Sequence, residues 1–189
     1  MQKLIVFNNV SLDGYFTDAK GEMNFARNDK PDPEWDAFVV SNASGGGGAM
    51  VFGRVTYEMM ASFWPTPMAA ESMPVVARRM NAAAKVVFSR TLDKAEWANT
   101  RLVKTDLTGE IRRMKAEPGE GMVIFGSGSI ISQLARKGLI DEYQIVVSPV
   151  VLGAGRTMFE GTKEVLPLKL IKSRIFSNGN VLLSYEPVK

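Results

Sequence analysis

Gly53, Arg54 and Thr56 stand where a short apolar run, Ala49 to Phe52, gives way to a helical pattern. A glycine at such a junction lets the backbone bend and a ligand come close, because it has no Cβ to clash. Arg54 offers a permanent positive charge on a planar fork that matches phosphate oxygens. Thr56 adds a hydroxyl. The first N–H groups of the helix, unpaired within it, point to the same place. With Val55 between them, these residues compose an anion site suited to a diphosphate. An ordinary strand-to-helix turn with a surface arginine is the competing reading, so the decision rests on what else reaches the same place.

Two further apolar runs end in comparable residues. Lys85 to Phe88 is followed by Ser89, Arg90 and Thr91, and Met122 to Phe125 by Gly126, Ser127, Gly128 and Ser129, after which Ile130 opens a helical pattern. The glycine loop does not complete the G-x-G-x-x-G fingerprint, because Ile131 stands at its third glycine. In open α/β sheets, ligands lie outside the carboxyl ends of the strands. Three such ends with small, hydroxyl or arginine residues imply one elongated anionic ligand across the sheet edge. Two arginines on different strands imply more than one phosphate group, as a dinucleotide with a 2′-phosphate has.

Composition removes several chemistries. Among 189 residues there is no histidine and no cysteine. Disulfides, thiol nucleophiles and histidine triads are excluded, and no metal site is expected. Acid–base work falls to Asp, Glu, Lys, Tyr, water or a cofactor. The net charge of +3 is scattered rather than gathered in a basic stripe with aromatics, so nucleic acid is not the expected partner. No apolar run approaches the ~20 residues of a membrane span, and the opening residues lack the pattern of a signal peptide. A cytoplasmic protein acting on a small molecule is the expectation.

The elements that must hold these residues follow from periodicity and punctuation. Strands are expected over Lys3 to Val10, Ala49 to Phe52, Lys85 to Phe88, Arg101 to Lys104, Met122 to Phe125 and Leu139 to Val147. Helices are expected from Pro33 or Glu34 to about Ser44, from the Gly53 turn to about Ser62, over 70 to 83 with an interruption near Pro74, over Leu107 to Ala116, and over Ile130 to Lys137 with Gly138 as its stop. Gly45 to Gly48 reads as a flexible connector, Asp18 to Gly21 as a turn, and the stretch from Gly21 to Pro33 as a long irregular loop. Leu168 to Ser177 and Val181 to Glu186 flank Asn178-Gly179 as a hairpin. The result is a single α/β domain, with strands and helices alternating and an antiparallel edge closing the sheet.

Some single residues remain ambiguous. Asp13 either stabilises the Asp-Gly turn through its own backbone or hydrogen-bonds the substrate and orders a proton-donating water. Asn8 and Asn9 interrupt an apolar strand near its end, and Asn9 is taken as a candidate substrate contact. Tyr57 and Trp64 either stack on a flat heterocycle or belong to the core. The methionines at 50, 59, 60, 68, 73 and 80 read as packing material, with a dimer face as a further use.

The segments Ser11 to Phe16 (Ser-Leu-Asp-Gly-Tyr-Phe), Phe52 to Glu58 (Phe-Gly-Arg-Val-Thr-Tyr-Glu) with Trp64-Pro65, Ser89-Arg90, Gly126 to Ser129, and Pro149 to Gly155 (Pro-Val-Val-Leu-Gly-Ala-Gly) resemble the dihydrofolate reductase-like superfamily. The resemblance is closer to the branch typified by the C-terminal reductase domain of the bifunctional deaminase-reductase of bacterial riboflavin biosynthesis. It runs through essentially the whole chain in the right order. It implies a three-layer α/β domain with a mostly parallel sheet of about eight strands, an NADPH site, hydride transfer to a pyrimidine- or pteridine-like ring, and a homodimer. Carried over, Gly53, Arg54, Val55 and Thr56 match the diphosphate and adenosine segment, and Ser89 and Arg90 the 2′-phosphate segment. Gly126, Ser127, Gly128, Ser129 and Ile130 match the glycine loop over the diphosphate and nicotinamide. Val10 to Phe16 would lie beside nicotinamide and substrate. Asp36 is the nearest match to the helix carboxylate that holds and protonates a pteridine, with Glu34 and Asp32 as competitors. Without His or Cys the chain lacks the zinc deaminase step. A stand-alone reductase is implied, and a non-catalytic nucleotide-binding relative is the alternative.

Overall fold

A computed structural model describes residues 1–27, 31–43, 48–126 and 128–188. Eight strands form one sheet in the order β4-β3-β2-β5-β1-β6-β8-β7. They are β1 (Leu4–Ser11), β2 (Ala49–Gly53), β3 (Lys85–Phe88), β4 (Thr100–Val103), β5 (Met122–Phe125), β6 (Glu142–Ser148), β7 (Leu168–Ile175) and β8 (Val181–Pro187). The first six run parallel, and β8 pairs antiparallel with both β6 and β7. The domain is therefore three-layered α/β, with a mostly parallel sheet and an antiparallel C-terminal hairpin.

Strand alternation builds the two faces, since successive side chains point to opposite sides. Val51 joins a core with Leu4, Val6, Val86 and Ile124 against α5 (Leu107–Ala116) and α6 (Gly128–Ala135). Its neighbours Met50 and Phe52 face the other way, toward Val76 and Met80 of α4 (Pro74–Ala82) and Tyr57 of α2 (Arg54–Phe63). Further along that second face, Phe7, Trp35, Phe38 and Phe176 pack α1 (Pro33–Ala43) onto β1 and the hairpin.

Local chemistry explains where elements start. Asp32 caps α1: its Oδ1 accepts the N–H groups of Glu34 and Trp35, both at 3.0 Å. Its Oδ2 accepts from the Ser177 hydroxyl and the Asn178 N–H, which ties the helix to the hairpin tip. Thr66 caps α3 (Pro67–Ser72) through the Ala69 N–H, and Pro67 and Pro74 each open a helix where a missing N–H costs nothing. The interruption expected near Pro74 is thus the junction of α3 and α4, with the first of these starting at Pro67. α6 begins at Gly128, two residues earlier than expected, and β6 at Glu142, three later. Asn178-Gly179 is not a two-residue turn. Phe176 and Asn180 still pair, so the loop is Ser177, Asn178 and Gly179, with Gly179 at φ +94°. Of the glycine connector, 45–47 lie outside the described residues. Met50 and Met80 are core, while Met59 and Met68 are exposed on separate helices.

Candidate active site

The parallel register sets the C-terminal ends of β3, β2 and β5 side by side. Gly53 is opposite Phe88, so Ser89-Arg90 and Gly53-Arg54 leave the sheet as neighbours. α2 begins at once, with Gly53 as its N-cap in extended conformation. No side chain caps its first N–H groups and no acidic residue occupies its first turn. α6 likewise has no acidic residue in its first turn. A helix N-terminus without acidic residues attracts anions through its dipole, and at α2 the uncapped first N–H groups add to it.

The two junctions touch. Gly126 sits at φ +69°, and a Cβ there would lie 3.3 Å from the Thr56 Oγ1. Glycine is the residue that meets both demands, a left-handed backbone and close approach. A cleft of about 1020 Å³ opens between them. Val55, Thr56, Gly126, Gly128 and Ser129 line it, and Phe16 to Gly21 with Gly155 to Thr157 form the facing wall. That wall is zipped together by backbone bonds from the Phe16 N–H to the Arg156 carbonyl and from the Arg156 N–H to the Thr17 carbonyl. A Cβ on Gly155 would fall 1.9 Å from the Thr17 carbonyl oxygen, so the approach of these loops needs that glycine.

The family model for the RibD C-terminal domain matches residues 2–182. The chain belongs to this family. It is 26% identical over 185 residues to the uncharacterized protein YyaP of Bacillus subtilis (strain 168), covering 98% of this chain and 95% of that one. Among solved structures, a protein assigned to riboflavin biosynthesis from Shewanella sp. PV-4 superposes with a TM-score of 0.74 at 24% identity, covering 100% of both chains. Dihydrofolate reductase from Enterococcus faecalis, complexed with NADP(H) and RAB-propyl, superposes with a TM-score of 0.64 at 14% identity, covering 99% of this chain and 97% of that one. The RibD C-terminal fold here is thus the dihydrofolate reductase-like one.

Within this RibD C-terminal domain, the other expected cofactor residues fall outside the cleft lining. Arg54 is half-exposed and pairs with Glu58 at 2.9 Å, one helical turn on. Ser89 closes a turn by accepting the Thr91 and Leu92 N–H groups. Arg90 is exposed, with no hydrogen-bond or ionic partner among the described residues. Ile130 is buried in the core, and Ser127 lies outside the described residues. Three cleft cations were not singled out from sequence: Lys20, Arg136 immediately after α6, and Arg156. Ser129, Ser132, Gln133 and Arg136 all line the cleft at spacings of three, four and seven. That is one polar stripe along α6, continued by the residue just past its end, on a helix whose Ile130, Ile131, Leu134 and Ala135 are buried.

The acid–base candidates need correction. Asp13 does not line the cleft. Its carboxylate accepts the Leu152 N–H at 3.1 Å and the Gly153 N–H at 2.7 Å. The Ser11 hydroxyl and these backbone donors hold its pKa down to about 2, so at neutral pH it clamps two loops and has no proton to give. Asp36 is exposed on the first turn of α1 and is absent from the cleft lining. Its competitors have other work: Glu34 pairs with Arg174, and Asp32 is the α1 cap. Tyr57, expected against the substrate, is 3% exposed. Its hydroxyl accepts the Trp97 N–H at 2.9 Å between Phe52 and Trp97, which is a core role. Asn9 shares its face of the sheet with Phe7 and points to the α1 side. Its Oδ1 is buried with no partner among the described residues, as is the Nδ2 of Asn8 on the opposite face. Among the described residues no cluster of His, Cys, Asp and Glu could hold a metal ion, and no helix is long and apolar enough to cross a membrane.

Proposed function

We propose that the chain is an NADPH-dependent reductase that delivers a hydride to a pyrimidine- or pteridine-like small molecule. The chemistry resembles that of the 5-amino-6-(5-phosphoribosylamino)uracil reductase of riboflavin biosynthesis and of dihydrofolate reductase. One observation carries this reading: the uncapped, acid-free N-terminus of α2 and the N-terminus of α6 face one cleft at the carboxyl edge of the sheet. NADPH supplies the hydride. The first-turn N–H groups of α2 and α6 would hold its diphosphate. Arg54, released from Glu58, and the unpartnered Arg90 would take the 2′-phosphate. Thr56 and Gly126 would let the backbone close on the dinucleotide, and the wall from Phe16 to Gly21 would lie beside the ring. The remaining requirement is one proton, which water entering the cleft supplies. Orientation at contact distance provides most of the rate.

A second reading, a non-catalytic nucleotide-binding module, draws on the acid–base residues. Asp13 is ionised and occupied, and Asp36 stands outside the cleft. Calorimetric titration of cofactor-free protein with NADPH and NADH tests the site itself. Preferential NADPH binding supports both readings, and binding of neither defeats both. Oxidation of bound NADPH by an added pterin or pyrimidine then separates reductase from binder. The same reading assigns a homodimer working in the cytoplasm on a small molecule, without nucleic acid or membrane.

A further inference from the structure

A second hollow, of about 280 Å³, lies between β6 and the segment that joins it to β7, lined by Tyr143, Phe159, Thr162, Glu164, Leu166 and Leu168. It shares no lining residue with the cleft. Tyr143 is the second residue of β6, whereas the cleft opens at the carboxyl edge of the sheet. At about 3.3 Å per residue, β6 runs on for about 16 Å from Tyr143 to Ser148. The two cavities nevertheless meet in one segment: Thr157 and Glu160 line the cleft, Phe159 and Thr162 the hollow. Met158 between them is buried in the core, and the Thr162 N–H closes a turn on the Phe159 carbonyl at 3.0 Å.

The walls of this hollow are largely apolar, but three polar groups converge on it. Tyr143 is 3% exposed. Its backbone is taken up by the pairing of β6 with β1 and β8, so the side chain is what it offers to the hollow. No described residue hydrogen-bonds to the Tyr143 hydroxyl, and burial pushes its pKa up to about 12, which keeps it a donor. The Thr162 Oγ1 is buried and likewise has no partner among the described residues. Buried polar groups in folded chains are nearly all hydrogen-bonded. Two unpartnered hydroxyls on the wall of one cavity match a ligand that brings the missing partner. The third group is the carboxylate of the exposed Glu164, and among the described residues no lysine or arginine lines the hollow.

We propose that this hollow binds a small arylalkylamine: one aromatic ring with a hydroxyl at its inner end and an ammonium on a short chain at its outer end. The volume is close to the lower end of ligand sites, about 300 Å³. It is about twice that of an apolar cavity that takes up benzene, so one ring and a short chain fill it. The Tyr143 and Phe159 rings, with centroids 5.9 Å apart and planes at 58°, leave faces and edges for a third ring in the tilted packing that aromatic groups prefer. Leu166 and Leu168 complete the apolar contact. The ring hydroxyl meets the Tyr143 hydroxyl and the Thr162 Oγ1 at the buried end. The ammonium meets Glu164 at the exposed end, where the same carboxylate repels acids. The proposal stands apart from the nucleotide reading of the cleft.

Calorimetric titration of the full chain with tyramine is the direct probe. Phenethylamine, which lacks the ring hydroxyl, and 3-(4-hydroxyphenyl)propionate, which carries an acid in place of the amine, are the references. Tyramine should bind about fivefold more tightly than phenethylamine and about tenfold more tightly than the propionate. It should also slow amide hydrogen exchange at Phe159 and Thr162. Tyr143→Phe, which keeps the ring and its burial, should bring tyramine down to the affinity of phenethylamine and leave phenethylamine unchanged. Glu164→Gln, at the exposed end, should narrow the gap between tyramine and the propionate, and it decides the matter alone should Tyr143→Phe fail to fold. Absence of tyramine binding, equal affinity for the three probes, a tyramine preference that survives in the folded variants, or exchange slowed only elsewhere would overturn the proposal.

Discussion

Thr56 and Gly126 meet across the cleft: the threonine hydroxyl lies 3.3 Å from the place a Cβ on the glycine would occupy, and the glycine holds φ +69°. The contact joins the first turn of α2 to the end of β5, the two junctions proposed to hold the cofactor's diphosphate. Gly126→Ala therefore meets two penalties. The left-handed backbone alone costs about 1–2 kcal/mol, and the methyl pushes Thr56 from its position. Gly138, at φ +62° with no atom within 4 Å of the place a methyl would take, supplies the control. Both alanine variants should lower the melting temperature, but only Gly126→Ala should weaken NADPH binding, by at least tenfold. Equal nucleotide affinity in the two variants would detach this contact from the site.

Arg54 and Arg90 leave adjacent strands, and each could reach a phosphate beyond the cleft wall. A charge-assisted hydrogen bond contributes about 1.5–3 kcal/mol, so Arg54→Ala or Arg90→Ala should reduce NADPH affinity about tenfold or more. NADH, which lacks the 2′-phosphate, should be affected less. Titration with both nucleotides decides it, and equal losses would remove these residues from 2′-phosphate recognition.

Asp13 contributes to stability in a defined acid window. Its native pKa, about 2, lies below the ordinary 3.8. The folded state therefore releases this proton more readily than the unfolded one. Its contribution is fully present above pH 3.8 and is lost as pH falls toward 2. Asp13→Asn should flatten that part of the acid unfolding curve and leave the neutral baseline slope unchanged. Glu110, held to about 2 chiefly by Arg113 and then Arg101, titrates in the same range. The Asp13→Asn and Glu110→Gln effects should therefore add. An unaltered acid midpoint in Asp13→Asn would show that the loop clamp carries no such linkage.

Lys85 is a buried cation without a carboxylate. It is 1% exposed, donates to the carbonyls of Asn81, Ala83 and Ala98, and lies 4.4 Å over the Trp97 ring. Burial pushes its pKa down to about 8 from 10.5, against the pull of three carbonyls and an indole face that favour the ammonium. Between those values the unfolded chain binds the proton that the native one gives up, so stability should rise with pH from about 8 to 10.5. Lys85→Met would orphan the carbonyls and should cost about 2–4 kcal/mol at neutral pH, while removing the alkaline rise. Denaturant melts at pH 7 and pH 10 measure both; a rise retained in the variant would assign it to another group.

Much of the fold was legible in local pattern. Met50, Val51 and Phe52 alternate between two helix layers as their apolar run required, and β3, β5 and α5 have the expected bounds. The turn from strand to helix at Gly53 was legible too, because the apolar run, the glycine and the helix start are contiguous there. The hairpin loop was mislocated by one pairing, since an Asn-Gly signal does not reveal that Asp32 pulls the Asn178 N–H toward α1.

Long-range geometry decided the rest. Asp13 looked available from its turn, but residues 152 and 153, far along the chain, consume its carboxylate. Tyr57 follows the anion motif directly, yet the helix turns it into the core, where the Trp97 backbone claims its hydroxyl. Arg136 and Arg156 join one cleft because α6 and the loop after β6 meet the first loop there. Tyr143 and Thr162 come to one hollow because the segment after β6 folds back onto that strand. Sequence by itself determined which segments become strands, helices and glycine turns, because those follow from interactions between near neighbours. Only the tertiary structure decided which polar groups remain free to act, because the partners that claim carboxylates and hydroxyls such as those of Asp13, Asp32 and Tyr57 come from wherever the packed chain brings them.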